Sequence, residues 1–182
     1  MNNKFSTQKL RFLIFFIPAV VLVSSFNQPP AKAKLKWMTL AEAQTAMKTN
    51  PKPLLIDLYT DWCGWCKVMD KNTYSNEKVI TYVEDKFYPV KLDAETKDSL
   101  NWNGRVFKYN KQYRINEIAI YFTGGDLSFP TTIFVNDKTA DPQNIAGYMK
   151  PSELEPIAKY FGEGKFGKQS FESFQQNFKS EW

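Results

Sequence analysis

The sequence predicts an α/β fold, and three observations carry that reading. Pro53 to Tyr59 is an apolar run with little alternation, as expected of a central strand covered on both faces, and helical patterns stand on either side of it. Thr131 to Asn136 is a β-branched strand, with Gln143 to Gly147 placed as its hairpin partner. Pro151 to Phe161 then reads as a closing helix, with Pro156 either in its first turns or bending it.

Taken from the start, residues 1 to 25 combine a basic opening, an apolar run from Phe12 to Val23 and small residues, the pattern of a secretory signal peptide cut after Ser25, with Ala31-Lys32-Ala33 as a weaker cleavage site. The run is short for a bilayer span and Pro18 interrupts it, so anchoring by an uncleaved leader is the minor alternative. Export places the chain, periplasmic by this reading, where disulfides form. The net charge of +5 includes Lys4, Lys9 and Arg11 of the leader, so no nucleic-acid surface is implied. Residues 26 to 36 read as a linker. Thr39-Leu40-Ala41-Glu42 has the capping-box pattern and opens a helix to about Lys48, which Asn50-Pro51 stops.

The strand from Pro53 ends in a short polar turn, and the chain's two cysteines follow as Cys63-Gly64-Trp65-Cys66 where a helical pattern begins. With Cys63 at the helix N-terminus and Cys66 one turn on, both sulfurs fall on one side, close enough to bond reversibly. Unpaired N–H groups and the positive end of the helix dipole favour thiolate at Cys63, which is expected to be exposed and nucleophilic. Cys66, partly covered, would resolve a mixed disulfide. Asp57 is the anomaly inside the apolar strand: burial there would raise its pKa and let it exchange protons near neutrality.

Asp57-x-Tyr59-x-x-Trp62-Cys63-Gly64-Trp65-Cys66-Lys67, with Phe129-Pro130-Thr131 far downstream, resembles the thioredoxin superfamily and its exported thioredoxin-like members, over roughly Leu35 to Phe161. The resemblance implies a central mixed β-sheet flanked by helices, with the domain spanning residues 37 to 161. It implies catalytic roles for Cys63, which attacks, Cys66, which resolves, and Asp57, the buried carboxylate that assists proton transfer at Cys66. By the same resemblance Lys91 lies near that carboxylate, with Tyr59 in support. The resemblance further implies that Pro130 follows a cis peptide bond beside a Cys63–Cys66 disulfide, and that Trp62, Gly64, Trp65, Phe129, Pro130 and Gly147 line the surface that meets substrate. Two departures stand out: Trp65 occupies the place of a thioredoxin proline, and a long insert, about residues 94 to 127, separates Asp93 from Pro130.

A helix from Cys63 to about Asn72 and another from Asn76-Glu77 to near Asp85 precede the strand Phe87 to Asp93, where Pro89 favours an edge position or an irregularity. In the insert, Asn103-Gly104 between short apolar runs signals a hairpin. Ile115, Ile118, Ala119 and Phe122 recur at helical spacing until Gly124-Gly125. Its aromatic and basic residues, Trp102, Phe107, Lys108, Tyr109, Tyr113 and Arg114, are expected as solvated lysines over self-packed aromatics; a substrate-facing surface is the sharper reading. In the tail, residues 162 to 182, Phe171, Phe174, Phe178 and Trp182 recur along one helical face that should dock on the body.

These features favour a thiol:disulfide oxidoreductase of the cell envelope that reduces or isomerises disulfides in exported proteins. The competing chemistries fit less well. Without histidine or a third cysteine only carboxylates could complete a zinc site, and a cysteine protease has no base. A structural bridge closing so short a loop would stabilise little. A chaperone or protein-interaction module on the same fold, indifferent to its cysteines, is the alternative. No cofactor or metal is expected. With both cysteines in the motif the protein has no internal relay, so a membrane or envelope thiol donor or acceptor must reset it. A monomer is expected.

Overall fold

The computed structural model describes Met1, residues 34–137 and residues 140–182. The signal-peptide reading and most of the linker lie outside these residues. Leu35 and Lys36, also read as linker, belong to the folded body: Leu35 is buried, and the backbone N–H of Lys36 donates to Glu84 Oε1 at 3.0 Å. An apolar side chain next to a helix flank finds area to cover that composition alone does not reveal.

Helix α1 (Leu40–Thr49) starts on the expected capping box: Thr39 Oγ1 accepts from Glu42 N–H at 3.2 Å, and Glu42 Oε2 accepts from Thr39 N–H at 2.7 Å. Both orphan donors are satisfied. Strand β1 (Leu54–Tyr59) follows, then α2 (Gly64–Asn72), α3 (Glu77–Lys86) and β2 (Tyr88–Asp93). The insert contains β3 (Leu100–Trp102), β4 (Arg105–Phe107), β5 (Tyr109–Asn110), β6 (Ile115–Asn116) and α4 (Glu117–Thr123). The chain closes with β7 (Thr131–Val135), β8 (Gln143–Ala146), α5 (Pro151–Gly162) and α6 (Phe171–Gln176).

The main sheet has the order β2-β1-β7-β8 and is mixed, β1 running parallel to β2 and antiparallel to β7. Pro89 sits on β2, an edge of this sheet, where Met38 bridges to Val90 and donates its N–H to Pro89 O at 2.8 Å. Alternation along β1 sorts its side chains between two cores. Leu54, Ile56 and Leu58 pack with α1, the insert and α4; Leu55 packs with α2, α3 and α5. Asp57 shares the Leu55 face, and so lies on the side of the sheet that carries α2.

Asn103 and Gly104, both with positive φ (53° and 80°), make the two-residue hairpin turn between β3 and β4. Two insert expectations are corrected. Trp102 and Phe107 are core residues, 2% and 1% exposed, because the insert folds back over the open face of the sheet and supplies its cover. Ile115 belongs to the small β5–β6 hairpin, and the helix begins two residues later at Glu117, capped by Asn116, whose side chain accepts from Ile118 N–H.

The tail docks on the body, though not as one continuous helix. α6 ends at Gln176, so Trp182 arrives by non-helical chain and meets Tyr82 edge to face at 5.4 Å. A buried carboxylate holds this end: Glu155 accepts from Ser180 Oγ at 2.6 Å, Glu181 N–H at 2.8 Å and Trp182 N–H at 3.0 Å, and pairs with Lys159 at 2.9 Å. Burial pushes its pKa up, but the bonds from Ser180, Lys159 and the two N–H groups prevail and hold it below the ordinary value. The clamp's contribution is therefore complete above the ordinary carboxylate value of 4.5 and is lost as pH falls through the lower value that the fold sets. Glu155→Ala is expected to free residues 177–182 and to destabilise the domain by about 2–3 kcal/mol, since it strands several donors at once. Chemical denaturation and proteolysis from the C-terminus measure both effects.

Candidate active site

Cys63 is the N-cap of α2, with its N–H donating to Thr60 O at 3.1 Å. A short turn thus delivers the cysteine from the end of β1 to the start of the helix. Cys63 and Cys66 are joined as a disulfide, with Cα atoms 5.3 Å apart, and Cys66 N–H donates to Cys63 Sγ at 3.0 Å. An orphan helix donor aimed at this sulfur is the interaction that would favour a thiolate there after reduction.

The expected exposure of Cys63 is corrected. Cys63 is 4% and Cys66 2% exposed. The bond to Cys66 and the hydrogen bond from its N–H turn the leading sulfur toward the helix end rather than outward. What stands out to solvent is the pair of indoles beside it, Trp62 at 67% and Trp65 at 62%.

Each indole contacts a different loop. Trp62 meets Phe129 edge to face at 5.9 Å, which joins the cysteine turn to the cis Phe129–Pro130 bond. Trp65 lies against Tyr148 at 5.6 Å. Pro130 O accepts from Gly147 N–H at 2.7 Å, and Gly147 has φ 97°, a conformation in which a side chain would be strained. Gly64 is the first residue of α2, with open space where a side chain would be. The structure therefore joins the two indoles that flank the cysteines to the Phe129–Pro130 and Gly147–Tyr148 segments, and adds Tyr148, which the sequence reading missed.

Behind them, Asp57 is 1% exposed. Its Oδ2 pairs with Lys91 Nζ at 2.5 Å, as the register of β1 on β2 requires, and its Oδ1 finds no hydrogen-bond partner among the described residues. Burial raises Asp57, Lys91 opposes and nearby Asp70 reinforces, leaving its pKa at about 6. Lys91 also pairs with Asp70 and lies over the rings of Tyr59 at 4.9 Å, Trp37 at 5.1 Å and Tyr74 at 5.9 Å. Burial works against its charge, yet the two carboxylates hold its pKa above the ordinary value. Asp70 was legible only as the residue four after Cys66, one helical turn on.

Residues 36–136 match a family model described as thioredoxin-like. The thiol:disulfide interchange protein DsbD of Campylobacter jejuni (strain RM1221) is 26% identical over 92 residues, half of this chain but 15% of that protein. DsbD of Yersinia pestis (strain Pestoides F) is 42% identical over 52 residues, 29% of this chain and 8% of that protein. The chain thus spans a small fraction of the length of these curated relatives. Among solved structures, the DsbH oxidoreductase superposes with a TM-score of 0.52 at 17% identity, covering 87% of this chain and 96% of that one. A thioredoxin-fold protein from Helicobacter pylori gives 0.54 at 17% identity, covering 70% and 80%. Both show the fold. With a Cys63–Cys66 pair bonded at the start of α2 and a family model covering more than half its length, the chain belongs to the thioredoxin-like family.

Proposed function

We propose that the protein is a thiol:disulfide oxidoreductase of the cell envelope that reduces or isomerises disulfides in exported proteins. The observation that carries this reading is the Cys63–Cys66 disulfide at the N-terminus of α2, with a backbone N–H on the leading sulfur. In the reduced protein Cys63 thiolate attacks one sulfur of a substrate disulfide; that bond breaks, a mixed disulfide forms, and the other substrate sulfur leaves and takes a proton. Cys66 then gives its proton to Asp57 and attacks Cys63 Sγ, expelling the second substrate thiolate. Two electrons pass to the substrate, and the Cys63–Cys66 bond is the oxidised product. Asp57, on the α2 side of the sheet with a pKa near neutrality, suits that proton transfer.

The opening at Cys63 is narrow, so a substrate would present its disulfide on an extended segment between the Trp62–Phe129 and Trp65–Tyr148 pairs. An envelope dithiol protein would reset the oxidised form. The reading of the leader supports export, and among the described residues no helix is long and apolar enough to cross a membrane. The purified protein is expected to accelerate insulin reduction by dithiothreitol. No acceleration over reductant alone would refute the proposal, and titration against glutathione decides its direction: a potential near those of the strong oxidants would make it an oxidase.

A further inference from the structure

A second concave site lies on the far side of Lys91. A cavity of about 560 Å³ is walled by Leu35, Trp37 and Tyr74, with Lys91 and Asp70 among its lining and Lys34, Lys67 and Lys71 completing it. That volume is within the range of small-molecule sites. Its aromatic wall is fixed, since Trp37 and Tyr74 meet edge to face at 4.8 Å and Tyr74 OH is hydrogen-bonded to Thr132 Oγ1 at 3.2 Å.

The charges here are unequally matched. Lys91 is answered by Asp57 and Asp70. Lys34, Lys67 and Lys71 are exposed and enter no salt bridge among the described residues. Asp70, the only carboxylate among the described residues of the lining, is spent on Lys91. Three lysines without a carboxylate partner among the described residues thus line one recess beside two aromatic rings, where an anion would find opposite charge from more than one side. A bare inorganic anion would leave Trp37 and Tyr74 uncovered. An organic cation would be repelled, and a neutral aromatic would leave the ammonium groups as they are.

We infer that this cavity binds a small organic acid, its carboxylate among Lys34, Lys67 and Lys71 and its planar apolar body against Trp37 and Tyr74. The bound acid adjoins Lys91, so it shares one ammonium group with Asp57. Occupancy is read by binding alone, apart from any redox turnover.

The test is a ¹⁵N NMR titration of the oxidised protein with 1-naphthoate, alongside 1-naphthylmethylammonium and inorganic phosphate. Saturable shifts confined to Leu35, Trp37, Lys67, Lys71, Tyr74 and their neighbours are expected with naphthoate. Affinity should fall at least tenfold in the surface double variant Lys67→Glu/Lys71→Glu, whose remaining spectrum reports an intact fold, and the other two probes should bind at least tenfold more weakly. The inference is overturned by naphthoate that fails to saturate, by affinity unchanged in the double variant, or by phosphate or the ammonium probe binding as well as naphthoate.

Discussion

Cys63→Ser is expected to lower insulin-reductase turnover on the order of 10³-fold or more, to the rate of the reductant alone, because a serine hydroxyl is neither anionic near neutrality nor able to exchange disulfides. The Cys66→Ser variant should behave differently. It keeps the attacking sulfur and the helix N–H groups but cannot expel the substrate, so it should complete one attack and accumulate a mixed disulfide visible on non-reducing gels. Neither result can be ascribed to a lost structural bridge. The bond spans three residues of sequence, so its chain-entropy contribution, about 2 kcal/mol, is at the low end for disulfides. Reduced wild-type protein lacks the same bond and serves as the control. Turnover unchanged in Cys63→Ser would refute the proposed chemistry, whereas a module indifferent to its cysteines would show no reductase turnover in the wild type either.

The features legible in the sequence are those fixed by local chemistry. The capping box at Thr39 and Glu42, the positive-φ turn at Asn103-Gly104 and the uninterrupted apolar run of β1 each state a backbone requirement within a few residues. The cis Phe129–Pro130 bond, and Lys91 beside Asp57, followed from the family resemblance. What escaped depends on distant chain. Trp102 and Phe107 look like surface aromatics until the insert is laid over the sheet. Asp70 gains meaning only because β2 carries Lys91 beneath α2, and Tyr148 because the β8–α5 loop reaches Trp65.

Asp57→Asn is expected to make the protein more stable at pH 8 and a slower enzyme. Asp57 has a pKa of about 6 in the fold against an ordinary value of 3.8, burial being the largest cause. The folded chain thus binds this proton more tightly than the unfolded one, so the stabilisation is complete below about pH 4 and is lost as pH rises through 6. The gap, which already includes the pairing with Lys91, corresponds to about 3 kcal/mol at most. Lys91 is not orphaned by the substitution, because Asp70 still holds it. Asparagine remains neutral throughout, so its advantage over the wild type should vanish on acidifying to pH 4. If Asp57 accepts the Cys66 proton as proposed, release of the mixed disulfide should slow by about 10²-fold, the low end for general-base assistance. Urea denaturation of oxidised protein at pH 4, 6 and 8 tests the first effect, and single-turnover decay of the mixed disulfide the second. A variant less stable than wild type at pH 8 would mean that Lys91 holds Asp57 ionised and content in the fold, and a carboxylate of ordinary acidity would be a poor acceptor for the Cys66 proton.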